Sequence, residues 1–171
     1  HAEIGPYYSL YSFNPIEGNR FKFGGATKTT FLPKTQFLGH LAYGTLDKKY
    51  KSQVRVRHFF NLKKWRYLQL EYFNDYSILS SSANAFPADN IMSSLSRRVN
   101  PRFTQVTRYD VEWFHAWYLG IENSLRINIQ QLRPVGSLTY QNPDSSNIDI
   151  IKLNTVVLGG RFAMDEKFIN Y

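Results

Sequence analysis

A two-residue alternation of apolar and polar side chains, repeated in stretch after stretch, is what most restricts how this chain can fold. Its clearest instance is Arg108-Tyr109-Asp110-Val111-Glu112-Trp113-Phe114-His115-Ala116-Trp117. Successive side chains of a strand point to opposite faces. Tyr109, Val111, Trp113, His115 and Trp117 therefore share one face, and Arg108, Asp110 and Glu112 share the other. A little further on, Leu125, Ile127 and Ile129 oppose Arg126, Asn128 and Gln130. Earlier, Phe21 and Phe23 alternate with Arg20 and Lys22, Val54 and Val56 with Arg55 and Arg57, and Leu68, Leu70 and Tyr72 with Gln69, Glu71 and Phe73.

Strands are expected at 4–13, 20–30, 37–45, 53–61 and 67–74, in the pair around 108–117 and 125–130, and at 151–163, with 91–99 either a short strand or a helical turn. Asn14-Pro15 starts a turn because the residue before proline is pushed to extended geometry. Leu32-Pro33-Lys34, Asp47-Lys48-Lys49 and Leu62-Lys63-Lys64 mark further turns. Residues 79–90 and 134–147 are rich in small, polar and proline residues and read as long loops. Helical spacing is sustained nowhere. The fold class is all-β, an antiparallel meander of about eight or nine strands joined mostly by short turns, within a single barrel segment over 1–171.

Alternation alone does not say which face is wet. A soluble lipocalin-like barrel would turn the apolar face inward around an apolar ligand. A membrane barrel would turn it outward to lipid and line its lumen with the polar face. Three features favour the membrane. Charge of both signs sits mid-strand at Arg20, Lys22, Arg55, Arg57, Glu71, Arg108, Asp110, Glu112 and Arg126, which a lumen pairs and hydrates. Tyr50, Trp65, Tyr67, Trp117 and Tyr118 stand beside turns, where aromatic girdles belong. The strands match the 9–11 or so residues of a tilted bilayer crossing. The net charge of +8, from 21 Lys and Arg against 13 Asp and Glu, suits an anionic lipid surface as well as nucleic acid. No nucleic-acid recognition motif accompanies it, and no nucleic-acid partner is expected.

The segments YSFNPIEGNRFKFGGAT, GHLAYGTLDKKYK, DNIMSSLSRRVN and LNTVVLGGRFAMDEKFI resemble the barrel region of a large outer-membrane family of Bacteroidota-type bacteria. Its members carry a carboxypeptidase-like regulatory β-sandwich ahead of the barrel. The aromatic-Asn-Pro-x-Glu-Gly-x-Arg hairpin, Phe13 to Arg20, is the most specific piece, and Ala42 to Lys48 is next. More distantly, the chain is similar to the surface-antigen barrels of outer-membrane assembly factors. The resemblance implies a transmembrane β-barrel in the bacterial outer membrane, with a structural, transport-related or complex-forming role. It implies no catalytic residues. It also implies that the chain is part of a larger barrel, with outer-membrane lipid and either the rest of that barrel or other membrane subunits as partners. Asp165-Glu166-Lys167 reads as a turn leading to a further strand.

Against enzymatic chemistry stand simpler readings of the same residues. Asp110 and Glu112 share a face at a spacing that could serve acid and base, but Arg108 and Arg126 offer them ion pairs. His40 and His58 fall on opposite faces of adjacent strands, and His115 falls on the apolar face, so no metal site is expected. No Gly-x-Ser-x-Gly elbow is present. Gly24-Gly25 and Gly159-Gly160 are not followed by the helix a phosphate loop needs; they suit bends or close packing. No cofactor is expected.

Overall fold

The computed structural model describes residues 2–4, 10–62, 65–78, 103–118, 120–141, 143–144 and 146–163. They contain eleven strands and no helix: β1 Ala2–Ile4, β2 Tyr11–Asn14, β3 Gly18–Thr27, β4 Thr35–Gly44, β5 Tyr50–Asn61, β6 Arg66–Ile78, β7 Phe103–Tyr118, β8 Ile121–Val135, β9 Tyr140–Gln141, β10 Asn147–Ile148 and β11 Ile151–Phe162. Nine form one antiparallel sheet in which β3, β4, β5, β6, β7, β8 and β11 lie side by side in that order. The expected meander is the observed one. The first expected strand lies along the free edge of β3 in two pieces, β1 opposite Gly25 to Thr27 and β2 opposite Gly18 to Phe21. The expectations for 79–90, 91–99 and 165–167 fall outside the described residues. Part of the second expected loop is a small hairpin of β9 and β10.

Local chemistry accounts for the turns. Asn14 Oδ1 accepts hydrogen bonds from the backbone N–H of Ile16 at 3.1 Å and of Glu17 at 2.8 Å. That is the Asx-turn habit of asparagine. Gly18 closes the turn at φ +69°, where a side chain would be strained. The turn packs on its neighbour: Leu46 N–H donates to Glu17 O at 2.8 Å and Thr45 N–H to Asn19 O at 3.0 Å.

The long strands exceed the mean of about 5–6 residues for globular sheets: β6 has 13 residues, β7 has 16 and β8 has 15. Their antiparallel order sorts the connections to two ends. The turns before β3 and β5, the 79–102 connection and the 136–150 connection leave from one end, called here the loop end. The β3–β4, β5–β6 and β7–β8 connections leave from the other, the turn end. Both long connections thus share a side, because β6, β7 and β8 are direct neighbours whose termini Ile78, Phe103 and Val135 stand in one row.

The sheet is curled, with the polar face inside the curl. Arg20 of β3 binds Asp75 of β6 through two hydrogen bonds, at 3.0 and 2.6 Å. Those strands are three places apart, roughly 14 Å in a flat sheet. Side chains standing perpendicular to a flat sheet do not bridge that span. At the loop end the curl reaches further: a methyl group added at Gly136, just after β8, would lie 3.4 Å from Ile16 Cδ1 in the turn before β3. The sheet stays open among the described residues, since β11 pairs with β8 alone and β1 and β2 pair with β3 alone.

Candidate functional site on the buried polar face

Burial is inverted relative to an ordinary globular sheet. Among the described residues the buried hydrophobic side chains are few, Ala42, Phe59, Tyr76 and Val106, whereas Glu17, Arg20, Lys51, Gln69, Glu71, Asp75, Thr104 and Asp110 are all buried. Phe21, Phe23, Leu41, Val54, Leu70, Tyr109, Val111, Trp113, Ile127 and Ile129 are exposed on the opposite face.

The ladder registers place all nine charged residues named from the sequence on the buried face. Lys22 stands opposite Ala42, which stands opposite Lys51. Arg55, Glu71, Asp110 and Asn128 form one row across β5 to β8. Two carboxylates directly opposite each other destabilise a sheet, and here cations offset them. Glu71 accepts from Arg55 Nε at 2.7 Å, Arg108 Nη2 at 3.0 Å and Gln53 Nε2 at 2.9 Å. Asp110 accepts from Arg126 Nε at 2.9 Å and Nη2 at 2.8 Å, and from Asn128 Nδ2 at 2.9 Å. Such forked, charge-assisted contacts are the stronger class of hydrogen bond. Arg57 donates to Gln69 Oε1 at 2.9 and 2.6 Å. Glu112 accepts from Tyr67 Oη at 2.9 Å. The sequence pairs Asp110 with Arg108 and Arg126; in the structure Arg108 goes to Glu71 instead, one strand over.

Tyr67 is a correction. Read from the sequence as a girdle residue, it turns to the polar face: it stacks on Phe114 at 5.1 Å, lies under the Arg57 guanidinium at 4.8 Å and bonds Glu112. Its phase with Gln69 and Glu71 governs, and proximity to a turn does not. Tyr50, Trp65 and Trp117 are exposed, as a girdle requires, and the side chain of Tyr118 lies outside the described residues.

A second cluster sits at the loop end, and of its members only Arg20 was in the sequence-derived set. The Lys51 ammonium lies 2.7 Å from Glu17 Oε1 and 2.5 Å from Asp47 Oδ2, and 4.6 Å from the centre of the Tyr76 ring. Tyr76 Oη donates to Asp47 Oδ2 at 2.8 Å. Arg20 joins Glu17, at 3.3 Å, to Asp75, and His40 Nε2 stands 3.6 Å from Asp75. Gly44 makes room: a methyl group there would lie 2.3 Å from Asp47 Oδ1 and 3.0 Å from Lys51 Nζ. Burial raises the Asp47 carboxyl, but Lys51, Tyr76 and the Lys49 N–H hold it, on balance, below the ordinary carboxylate value. The two hairpin motifs singled out in the sequence, 13–20 and 42–48, therefore meet in one buried ion network. The usable signal was Asp75, in phase with Glu71 and Phe73.

Chemically, both clusters hold carboxylates already committed to cations or hydroxyls. Asp110 and Glu112 point to different partners, Arg126 and Tyr67. His40 and His58 lie on opposite faces, with His58 Nδ1 2.8 Å from Thr35 Oγ1. Among the described residues, no group of three His, Asp or Glu side chains is placed to hold a metal ion. The arrangement is suited to lining and bracing a polar interior. Comparison of the chain with protein-family models, curated proteins and solved structures finds no match.

Proposed function

We propose that this chain is a segment of a transmembrane β-barrel of the bacterial outer-membrane type, serving a structural, transport-related or complex-forming role. The carrying observation is the inverted burial: Glu71 is 5 % exposed and Asp110 2 %, while Phe23 is 68 % and Tyr109 53 % exposed. In water that arrangement exposes a broad apolar surface with nothing to cover it, whereas large exposed apolar patches mark interaction sites. In a bilayer it is the ground state, with lipid against the aromatics and a hydrated interior for the charges. A lipocalin-like barrel would bury the aromatic face, and here that face is the exposed one.

Several features add support. The strands are long enough for a tilted crossing. Exposed aromatics collect toward both ends, Tyr11, Phe13 and Tyr50 at the loop end and Phe60, Trp65 and Trp117 at the turn end, as interfacial belts do. The long connections share one side, the pattern of outer-membrane barrels with long outer loops and short inner turns. On this reading Arg20, Lys22, Arg55, Arg57, Glu71, Arg108, Asp110, Glu112 and Arg126 line the lumen. The resemblance to the Bacteroidota-type family fits the same picture, and the free edges of β11 and of β1 and β2 would pair with further strands of the barrel, because an open edge is otherwise an aggregation template.

Cysteine labelling tests the assignment. Ile129→Cys and Asn128→Cys are introduced separately and the protein is reconstituted in lipid vesicles. A bilayer-soluble reagent should mark position 129 alone and a small water-soluble reagent mainly position 128. Equal aqueous labelling of both positions, in protein that stays soluble without detergent, would refute the membrane reading.

A further inference from the structure

We infer that the interior of the curl admits anions in preference to cations, and that Arg55, Arg57, Arg108 and Arg126 form a guanidinium belt there that takes phosphate or carboxylate oxygens. The inference rests on the polar face lining a lumen and names a solute class for it. In the middle of β5 to β8 the inward charged residues are these four arginines and the acids Glu71, Asp110 and Glu112. The cations exceed the acids by one, but depth matters more than number. Glu71 and Asp110 are buried, whereas the side chains of the arginines bound to them, Arg55, Arg108 and Arg126, are 36, 29 and 46 % exposed. Glu112 is half-buried, accepts from Tyr67 Oη at 2.9 Å and stands opposite Arg126. Toward the loop end Glu17, Asp47 and Asp75 lie in the network with Arg20 and Lys51. Toward the turn end the partly exposed Glu122 has Arg161 at 3.4 Å. A cation entering the curl thus meets carboxylates that are covered or paired, and an anion meets guanidinium edges.

The belt also keeps donors. A guanidinium carries five N–H groups in a planar fork. Among the described residues Arg55 commits only Nε and Arg108 only Nη2, both to Glu71, and Arg108 Nε has no partner. Arg126 holds Asp110 through Nε and Nη2, which leaves Nη1. Arg57 is hydrogen-bonded to no carboxylate among the described residues: its Nε and Nη2 both go to Gln69 Oε1, and its guanidinium lies over the Tyr67 ring. Arg55 and Arg57 share one face of β5, roughly 7 Å apart along the strand, and Arg55 and Arg108 take the two oxygens of one carboxylate. An oxyanion with several oxygens suits forks at such spacing, because arginine binds phosphate and carboxylate through charge-assisted, frequently bidentate bonds. Arginine rings line anion pores for the same reason, and low-dielectric walls focus their field on the solute.

Asn128→Cys places a thiol beside Asp110, within the belt. The full chain is reconstituted in phosphatidylcholine vesicles, and reaction rates are measured with anionic sulfonatoethyl and cationic trimethylammonioethyl methanethiosulfonate. The ratio of the two rates cancels differences in thiol reactivity. It should be severalfold higher at position 128 than in Leu46→Cys, whose site is exposed in a loop-end turn, and should fall as salt screens the belt. Pyrophosphate should protect position 128 and magnesium should not. R57Q, which strands no hydrogen-bonded carboxylate, should lower the ratio and weaken the protection severalfold, whereas K49Q, the same loss of charge outside the belt, should leave both in place. Should R57Q fail to insert, protection by pyrophosphate in the parent background decides. A ratio at 128 no higher than at 46, or protection by magnesium and none by pyrophosphate, would overturn the inference and leave the lumen reading standing. Labelling of position 128 by a bilayer-soluble reagent alone would overturn both.

Discussion

Lys51→Met probes whether the loop-end network is a desolvated ion cluster or a hydrated one. Lys51 is 2 % exposed and its ammonium serves Glu17, Asp47 and the face of Tyr76. Methionine keeps most of the stem and removes the charge, so two buried carboxylates lose their shared cation. Removing one partner of a buried pair costs about 3–5 kcal/mol. The lower figure applies here, because Glu17 keeps Arg20 at 3.3 Å and Asn14 at 2.5 Å, and Asp47 keeps Tyr76 at 2.8 Å. The expected loss is thus about 3 kcal/mol, read from urea unfolding of the vesicle-inserted protein by tryptophan fluorescence. The double variant Glu17→Gln/Lys51→Met should recover part of it, because one of the stranded charges is gone; coupling above about 1 kcal/mol is expected between groups in contact. A Lys51→Met loss within about 0.5 kcal/mol, the range of an ordinary surface substitution, would refute the reasoning. The cluster would then be reached by water and its charges screened.

Acid should weaken the same network. Asp47 is held below its ordinary value in the folded chain, so its contribution is fully present above the unfolded-state carboxylate value and is lost as pH falls through the folded one; Lys51→Met should move the acid-unfolding midpoint upward. Gly44→Ala puts a methyl group 2.3 Å from Asp47 Oδ1 and 3.0 Å from Glu17 Cβ, and overpacking of this kind should lower stability by about 1–3 kcal/mol in the same urea titration. Ile127→Arg, on the outward face, should reduce insertion into vesicles with a cost of about 2–4 kcal/mol, whereas Asn128→Arg, beside Asp110, should insert nearly as well as the parent; equal yields of the two variants would count against the sidedness.

The loop-end cluster shows where sequence reasoning stops. Two of its parts were legible as motifs, Asn14-Pro15-Ile16-Glu17-Gly18 and Gly44-Thr45-Leu46-Asp47, because turn chemistry is local: an asparagine caps its own turn and a glycine takes the left-handed position. That the motifs share a network with Asp75 was not legible, since Arg20 and Asp75 are 55 residues apart in the chain and meet only when the sheet curls. Tyr67 makes the converse point. Its nearness to a turn suggested the outer surface, yet its phase with Gln69 and Glu71 already placed it on the polar face.

By itself, the sequence determined the strand order, the turns and the partition of side chains into two sets, because a strand alternates its faces every two residues whatever surrounds it. Alternation left open which set is buried; mid-strand charge of both signs favoured the polar set, and the curl of the sheet is what buries it. The direction of curl is a collective property of the sheet, and a period-two string reads the same from inside or outside. The structure turns Arg55, Glu71, Asp110 and Arg126 to the inside of the curl, where they pair across neighbouring strands, and leaves the aromatics outward; what the curl alone adds is contact between strands that are not neighbours, such as Arg20 of β3 with Asp75 of β6.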